Sequence, residues 1–276
     1  MNWWQSIVLG VVEGLTEFLP VSSTGHLLLA QRAMGIPASE AATAYAICIQ
    51  AGAIVAVLGV YLRRLRQMAQ GVLGMHPEGR RLFGLTLLAF VPAAVIGKTF
   101  DKRIEALLFG LWPVVAAWLV GGLAILLVTA IHRRRTASLD AGIGLDGLTP
   151  RMALFIGLSQ CLAMWPGTSR SLVTIVAGLL MGLSMSAAVE FSFLLGLITL
   201  GAASGYKLVK SGGVMIAAYG PGQLALGFIV AAVSAFAAVR WMVNWLRRHD
   251  LSVFGWYRVA LALVVASLLA MNMLAP

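Results

Sequence analysis

Long apolar stretches alternate with short charged ones along the chain, and six are long and charge-poor enough to cross a bilayer: about 42–62, 82–98, 111–131, 187–207, 222–246 and 253–274. A crossing helix rises about 1.5 Å per residue and needs roughly 20 apolar residues. Two further apolar segments are interrupted. The first occupies residues 3–34 and breaks at Pro20-Val21-Ser22-Ser23-Thr24-Gly25. The second, 152–184, breaks at Trp165-Pro166-Gly167-Thr168-Ser169-Arg170-Ser171. The apolar piece after the first break covers only about half of a hydrocarbon core of roughly 30 Å. The chain is therefore expected to dip into the membrane there, break, and return to the side it came from. Non-helical backbone at that depth is tolerated only where protein or water surrounds it, which puts the break at the floor of a cavity.

Composition agrees with this pattern. Hydrophobic residues make up 60% of the 276 and charged residues 11%, against about a quarter charged in soluble domains. The mean hydropathy is +0.92. The expected fold is an all-α integral membrane protein, one polytopic domain over 1–276, with about six transmembrane helices and two re-entrant broken helices. The net charge of +10 fits positive-inside loops and anionic headgroups, and no nucleic-acid partner is expected. Cations cluster at Arg63, Arg64, Arg66, Arg80 and Arg81, at Arg133 to Arg135 with Arg151, and at Arg247 and Arg248, while the loops near 99–110 and 208–221 are weaker. With the strong loops cytoplasmic, both termini lie outside, and the two broken segments enter from opposite faces. The first cation is Arg32, so no cleaved leader is expected. Cys48 and Cys161 lie in apolar runs without metal-ligand spacing and read as structural thiols.

Sliding the chain by 146 residues puts Pro20 on Pro166, Ser22 on Thr168, Ser23 on Ser169 and Ala44 on Glu190. This suggests an inverted-topology repeat, copy one about 1–131 and copy two about 150–276, joined by a cytoplasmic linker of about 132–150, with the breaks meeting near the midplane. The copies carry different chemistry, so one composite site is expected where they meet.

Glu13 and Glu17 are four apart and share a helix face. Two stacked carboxylates repel unless a cation answers them: Arg170, or a divalent ion such as Mg²⁺ or Ca²⁺. Ionisable groups at mid-bilayer cost on the order of 3 kcal/mol each, which favours pairing or a ligand. Arg170 lies between Ser169 and Ser171 at the opening of a half-helix. With Thr168 beside it, this set of hydroxyls, helix N–H groups and guanidinium suits a phosphate. Ser22, Ser23, Thr24 and Gly25 form the opposing elbow, with Gln160 as a further polar candidate. Ser23 is the candidate nucleophile, and His26, three residues on, a candidate to take or relay its proton. Helix capping is the plainer role for these hydroxyls, and the two are compatible. His76, His132 and His249 read as loop residues, the eight tryptophans as interface anchors, and Glu190 as a weaker candidate or an arginine's partner.

The run G-V-V-E-G-L-T-E-F-L-P-V-S-S-T-G-H-L from Gly10 to Leu27, with P-G-T-S-R-S from Pro166 to Ser171, resembles the bacterial undecaprenyl-diphosphate phosphatase, or bacitracin-resistance, family. The similarity in apolar pattern extends over the whole chain and departs at Leu172, where glycine is common. The resemblance implies removal of the terminal phosphate of undecaprenyl diphosphate, which recycles the lipid carrier for cell-wall synthesis and confers bacitracin resistance. It further implies an inner-membrane location, a site open to the outer face, homodimers and a divalent metal. Carried across, the family's functional residues are Glu13, Glu17, Ser23, His26, Ser169 and Arg170. The expected chemistry is attack by Ser23 on the terminal phosphorus, with direct attack by water as the rival. Because secondary transporters also use inverted repeats of broken helices, flipping of a lipid phosphate is the alternative function.

Overall fold

The computed structural model describes residues 1–108, 110–135 and 141–274, leaving the side chains of 101–107 and 135 outside the description. Those residues are almost wholly helical, and apart from an isolated bridge between Ile143 and Leu183 they contain no extended pairing. The helices are α1 (Trp3–Thr16), α2 (Ser23–Ala33), α3 (Glu40–Val60), α4 (Leu62–Val72), α5 (Pro77–Leu108), α6 (Leu111–Arg135), α7 (Pro150–Gln160), α8 (Arg170–Leu180), α9 (Met185–Tyr219), α10 (Pro221–Trp245) and α11 (Ser252–Ala270). Six of them are long and apolar enough to cross a membrane: α3, α5, α6, α9, α10 and α11. The protein is a multi-pass membrane protein with two short helix pairs, α1/α2 and α7/α8, where the interrupted segments were expected.

The charged and weaker loops are more helical than the sequence suggested. Arg63, Arg64 and Arg66 lie on α4, a short amphipathic helix, and Arg80 and Arg81 on the first turns of α5. His132 and the following arginines continue α6, so His132 is not a loop residue. The stretch 208–219 extends α9, which stops only where Gly220 adopts φ +78 and Pro221 starts α10. A left-handed glycine followed by proline ends a helix because the ring removes an N–H and blocks continuation. Nothing in 208–219 breaks the helix by itself.

The two half-helices after the breaks are built on one plan. Each has 11 residues, α2 from Ser23 and α8 from Arg170. Each is preceded by a serine held at φ 75, Ser22 and Ser169. Each ends in Met-Gly, Gly35 at φ +66 and Gly182 at φ +89, with the same closing backbone bonds, Ile36 N–H to Gln31 O and Leu183 N–H to Gly178 O. Eleven residues span about 16 Å, half of a hydrocarbon core. The structural offset at the breaks is 147, one more than the sequence alignment suggested, so Ser22 matches Ser169 and Ser23 matches Arg170. In the backbone frame Pro20 therefore matches Gly167, although its sequence identity is with Pro166.

Packing follows the same duplication. Helix α1 lies against α10 and α7 against α5. Gly10 of α1 is so close to α10 that an added Cβ would sit 2.8 Å from the Gly227 carbonyl oxygen. Gly157, 147 residues on, meets α5 in the same way, its Cβ falling 2.7 Å from Ala89 Cα. Small residues at such crossings let backbones approach in a setting where lipid offers no hydrophobic drive. The architecture is consistent with an inverted repeat of a broken pair plus three crossing helices. Leu172 is buried in the apolar core, so the departure at this position leaves α8 intact. Glu190 is the partner of Arg64, Oε1 accepting from Nε at 2.6 Å. Trp118 is fully buried and is no interface anchor. Cys48 and Cys161 are free thiols.

Candidate active site

Glu17 ends α1, and the chain then turns through Phe18 to Val21 before α2 begins. This turn folds Ser23 back onto the carboxylate: Ser23 Oγ donates to Glu17 Oε2 at 2.5 Å, and both residues are buried. Gln50 Nε2 of α3 donates to the same oxygen at 3.4 Å. Both carboxylate oxygens of Glu13 are buried and without a hydrogen-bond partner.

Arg170 opens α8. Its Nη1 donates to the Ser192 carbonyl of α9 at 2.8 Å, and its Cζ lies 5.7 Å from the centre of the Phe18 ring. Nη2 is 3.9 Å from Glu17 Oε1, an ion pair too long for a hydrogen bond. Nη2 and Nε are buried and make no hydrogen bond. The space for this guanidinium exists because α9 has Gly196 there: a Cβ would lie 2.6 Å from Arg170 Cζ. Thr174 supports the turn by bonding both the Arg170 carbonyl, at 2.9 Å, and the Ser192 hydroxyl, at 2.6 Å.

Glu17, Ser22, Ser23, Thr24, Gln50, Ser169 and Arg170 line one cavity of about 130 Å³. The two breaks thus meet, and carboxylate, hydroxyl and guanidinium share one space. A larger cavity of about 250 Å³, between α4, the start of α5 and residues 145–146, contains Arg64, His76, Glu78, Arg81 and Asp146. Its arginines are already engaged, Arg64 with Glu190 and Arg81 with the Asp146 and Leu148 carbonyls. The smaller cavity, which gathers the expected site residues, is the candidate site.

Several expected site residues are placed otherwise. His26 makes no bond with Ser23: Nδ1 is 2.7 Å from the Ser22 carbonyl and Nε2 is 2.7 Å from the Tyr257 hydroxyl, with the two rings stacked. Both ring nitrogens are taken up by the Ser22 carbonyl and Tyr257, so Glu17 and not His26 is the partner of Ser23. Gly25 is turned against Trp118, whose ring an added Cβ would meet at 2.5 Å, and it takes no part in the cavity. Ser171 donates to the Leu19 carbonyl at 3.0 Å and lies 3.0 Å from the Ser169 hydroxyl, so it ties the two breaks together. Thr168 and Gln160 lie outside the lining. Gln160 Oε1 accepts from Thr199, and its Nε2 is buried without a partner. Gln50, Gly196, Tyr257 and Arg258 were not singled out from the sequence. Arg258 alone carried a signal, as a single cation in an apolar crossing run.

A buried carboxylate–hydroxyl pair and a buried guanidinium, held by two short half-helices among crossing helices, make the candidate site of a polytopic membrane protein. The chain belongs to the family described as Bacitracin resistance protein BacA, whose model matches residues 6–264. It is 45% identical over 269 residues to an undecaprenyl-diphosphatase of Sorangium cellulosum, covering 96% of this chain and 86% of that protein. It is 46% identical over 261 residues to undecaprenyl-diphosphatase 2 of Rhodospirillum rubrum, covering 95% and 93%. With undecaprenyl-diphosphatase 1 of Chromobacterium violaceum the identity is 44% over 262 residues, covering 95% and 94%.

Proposed function

We infer that this protein is an undecaprenyl-diphosphate phosphatase: it hydrolyses the terminal phosphate and yields undecaprenyl phosphate and inorganic phosphate. The observation that carries this function at the site is the Ser23–Glu17 hydrogen bond of 2.5 Å in one cavity with an arginine whose Nη2 and Nε make no hydrogen bond. Buried unpaired donors are costly unless an acceptor arrives, and a phosphate supplies acceptors and charge together.

In this reading the terminal phosphate binds against Arg170, Ser169, Ser22, Thr24 and the N–H groups that open α2 and α8. Glu17 takes the Ser23 proton as Oγ forms a bond to the terminal phosphorus. The bond from that phosphorus to the bridging oxygen breaks, and undecaprenyl phosphate leaves with the oxygen. Water then attacks the phosphoserine, releasing inorganic phosphate and returning a hydroxyl to Ser23. Positioning and charge neutralisation supply most of the rate, as is usual for phosphoryl transfer. His26 contributes by fixing the Ser22 carbonyl beside the nucleophile. Direct attack by water, with Ser23 only orienting it, is separated by trapping the phosphoserine.

Among the described residues no cluster of three or more His, Cys, Asp or Glu could hold a metal by itself. The Glu13 oxygens, which make no hydrogen bond, and the carboxylate of Glu17 one turn on would nevertheless suit a hard, oxygen-seeking divalent cation such as Mg²⁺ or Ca²⁺. Such an ion, held by Glu13 and Glu17, would neutralise phosphate charge. The reading also takes the protein to act in the bacterial inner membrane, with the prenyl tail between helices, the cavity open to the outer face, and a homodimer as the working unit.

Phosphate release from undecaprenyl diphosphate by detergent-purified protein, with and without EDTA, tests the reading. Release that EDTA abolishes and Mg²⁺ or Ca²⁺ restores is the expected result. Well-folded protein that releases none, yet moves labelled lipid across reconstituted vesicles, would replace hydrolysis with transport.

A further inference from the structure

The strongest unassigned feature is a cation in the middle of α11. Arg258 is fully buried, and among the described residues no carboxylate pairs with it. Its partners are backbone carbonyls: Nη1 donates to Pro20 at 3.3 Å, Nη2 to Gly167 at 2.9 Å and to Ala117 at 2.8 Å, and Nε to Trp118 at 3.4 Å. Pro20 lies in the first break and Gly167 in the second. They are 147 residues apart, the offset that matches Ser22 to Ser169, so one guanidinium holds equivalent carbonyls of the two copies.

Each carbonyl stands three residues before the group that carries the chemistry, Pro20 before Ser23 and Gly167 before Arg170. The non-helical backbone of a break leaves carbonyls that the helices cannot satisfy, and at this depth water is not a free substitute. A planar fork with fixed angles between its donors also sets how far apart its acceptors lie. Lysine, a single point of charge on a flexible stem, cannot. Space for the fork comes from Gly121 on α6, where an added Cβ would lie 2.9 Å from Arg258 Cζ.

We propose that Arg258 is a positioning residue that clamps the two breaks at equivalent carbonyls and thereby sets the separation of Ser23 from Arg170. It touches neither the substrate nor the reacting atoms. The proposal rests on the phosphatase reading for its effect on turnover, while its effect on geometry stands apart from that reading.

The test uses full-length Arg258→Lys in detergent, with two readouts. One is kinetic: kcat for undecaprenyl diphosphate falls about 100-fold, the usual cost of misplacing reacting groups by about an ångström. KM changes less than about threefold, because Arg170 still binds the phosphate, and the thermal midpoint shows the protein folded. The other is a distance: spin labels at Thr24→Cys and Ala163→Cys, one on each side of the cavity, in a chain lacking Cys48 and Cys161. Their distance distribution shifts or broadens in Arg258→Lys. If the variant does not fold, Gly121→Ala, which pushes on the guanidinium without removing it, is read by the same criteria. An unchanged distribution, a kcat within twofold of wild type, or activity lost only in proportion to folded protein would each overturn the proposal, as would unfolding of both variants. Wild type that releases no phosphate would instead sink the phosphatase reading, and the label distances would still decide whether Arg258 is a clamp.

Discussion

The two breaks share one backbone frame and almost none of their chemistry. Both place a serine at φ 75, begin an 11-residue helix and end it in Met-Gly. In the first copy the residue that opens the helix is Ser23, paired with Glu17; in the second it is Arg170, with Met164 at the position matching Glu17. Glu13 is matched by Gln160 and His26 by Val173. In the proposed reaction the shared frame supplies geometry, two half-helix N-termini at one cavity, and the differences between the breaks supply function, a nucleophile with its base on one side and a phosphate-binding cation on the other. Neither break could perform the proposed reaction alone.

Removing the asymmetric groups should have the largest effect. Arg170→Ala is expected to lower kcat/KM for undecaprenyl diphosphate by about 10³-fold, the scale for losing a donor aimed at transition-state charge. Arg170→Lys should recover little, because a lysine does not reproduce the fork that spans the Ser192 carbonyl and the cavity. Glu17→Gln should cost about 10²- to 10³-fold by depriving Ser23 of its base, read as phosphate release at saturating lipid.

Substitutions of the two positive-φ serines, which also line the cavity, should in addition change stability, and unequally. A serine at positive φ costs on the order of 1 kcal/mol that glycine avoids. Ser22 makes no side-chain capping bond, so Ser22→Gly should raise the thermal midpoint. Ser169 Oγ accepts from the Leu172 N–H at 3.3 Å and lies 3.0 Å from the Ser171 hydroxyl, so Ser169→Gly loses bonds worth about 1 kcal/mol and gains nothing net. Equal shifts in the two variants would show that the breaks are not distinguished in this way.

Ion pairs outside both breaks serve as controls with the smallest effects. Glu190→Gln removes a partly exposed pair with Arg64, worth at most about 1 kcal/mol, and phosphate release should stay near wild type. Asp250, between α10 and α11, is paired with Arg133 and accepts the Ser252 N–H at 2.9 Å. Burial pushes its carboxyl up, but the Ser252 and Arg133 bonds outweigh that and hold it below the usual aspartate range. Its contribution is thus present above the unfolded value of about 3.9 and lost as pH falls through the lower folded value. Asp250→Asn should lower the thermal midpoint at pH 7 and converge with wild type in acid, leaving turnover unchanged.

The crossing helices and both interruptions were legible in the sequence, because bilayer thickness dictates their length and apolar content. Glu17, Ser23 and Arg170 were legible as polar groups too costly to place in lipid without a purpose. The partners were not. Whether Ser23 meets Glu17 or His26 depends on how the turn of 17–22 folds back, which spacing along the chain does not specify. Gln50 and Gly196 are contributed by other helices and look ordinary in their own segments. The structural register of 147 was hidden by the Pro20–Pro166 identity, although the Met-Gly pairs at 34–35 and 181–182 carried it. Arg258 stood in plain view within the last crossing run; only the structure shows that it reaches both breaks.

In the proposed mechanism Ser23 and Arg170 form one catalytic site, contributed by two breaks built on one frame. The most direct measurement is phosphate release from undecaprenyl diphosphate by wild type, Ser23→Ala, Arg170→Ala and the double variant, each confirmed folded. Residues that act as a unit are strongly non-additive. Each single variant should therefore fall nearly to the level of the double, with a phosphoserine trapped only in chains that keep Ser23. Near-normal turnover by Ser23→Ala, or losses that multiply independently in the double variant, would contradict the account.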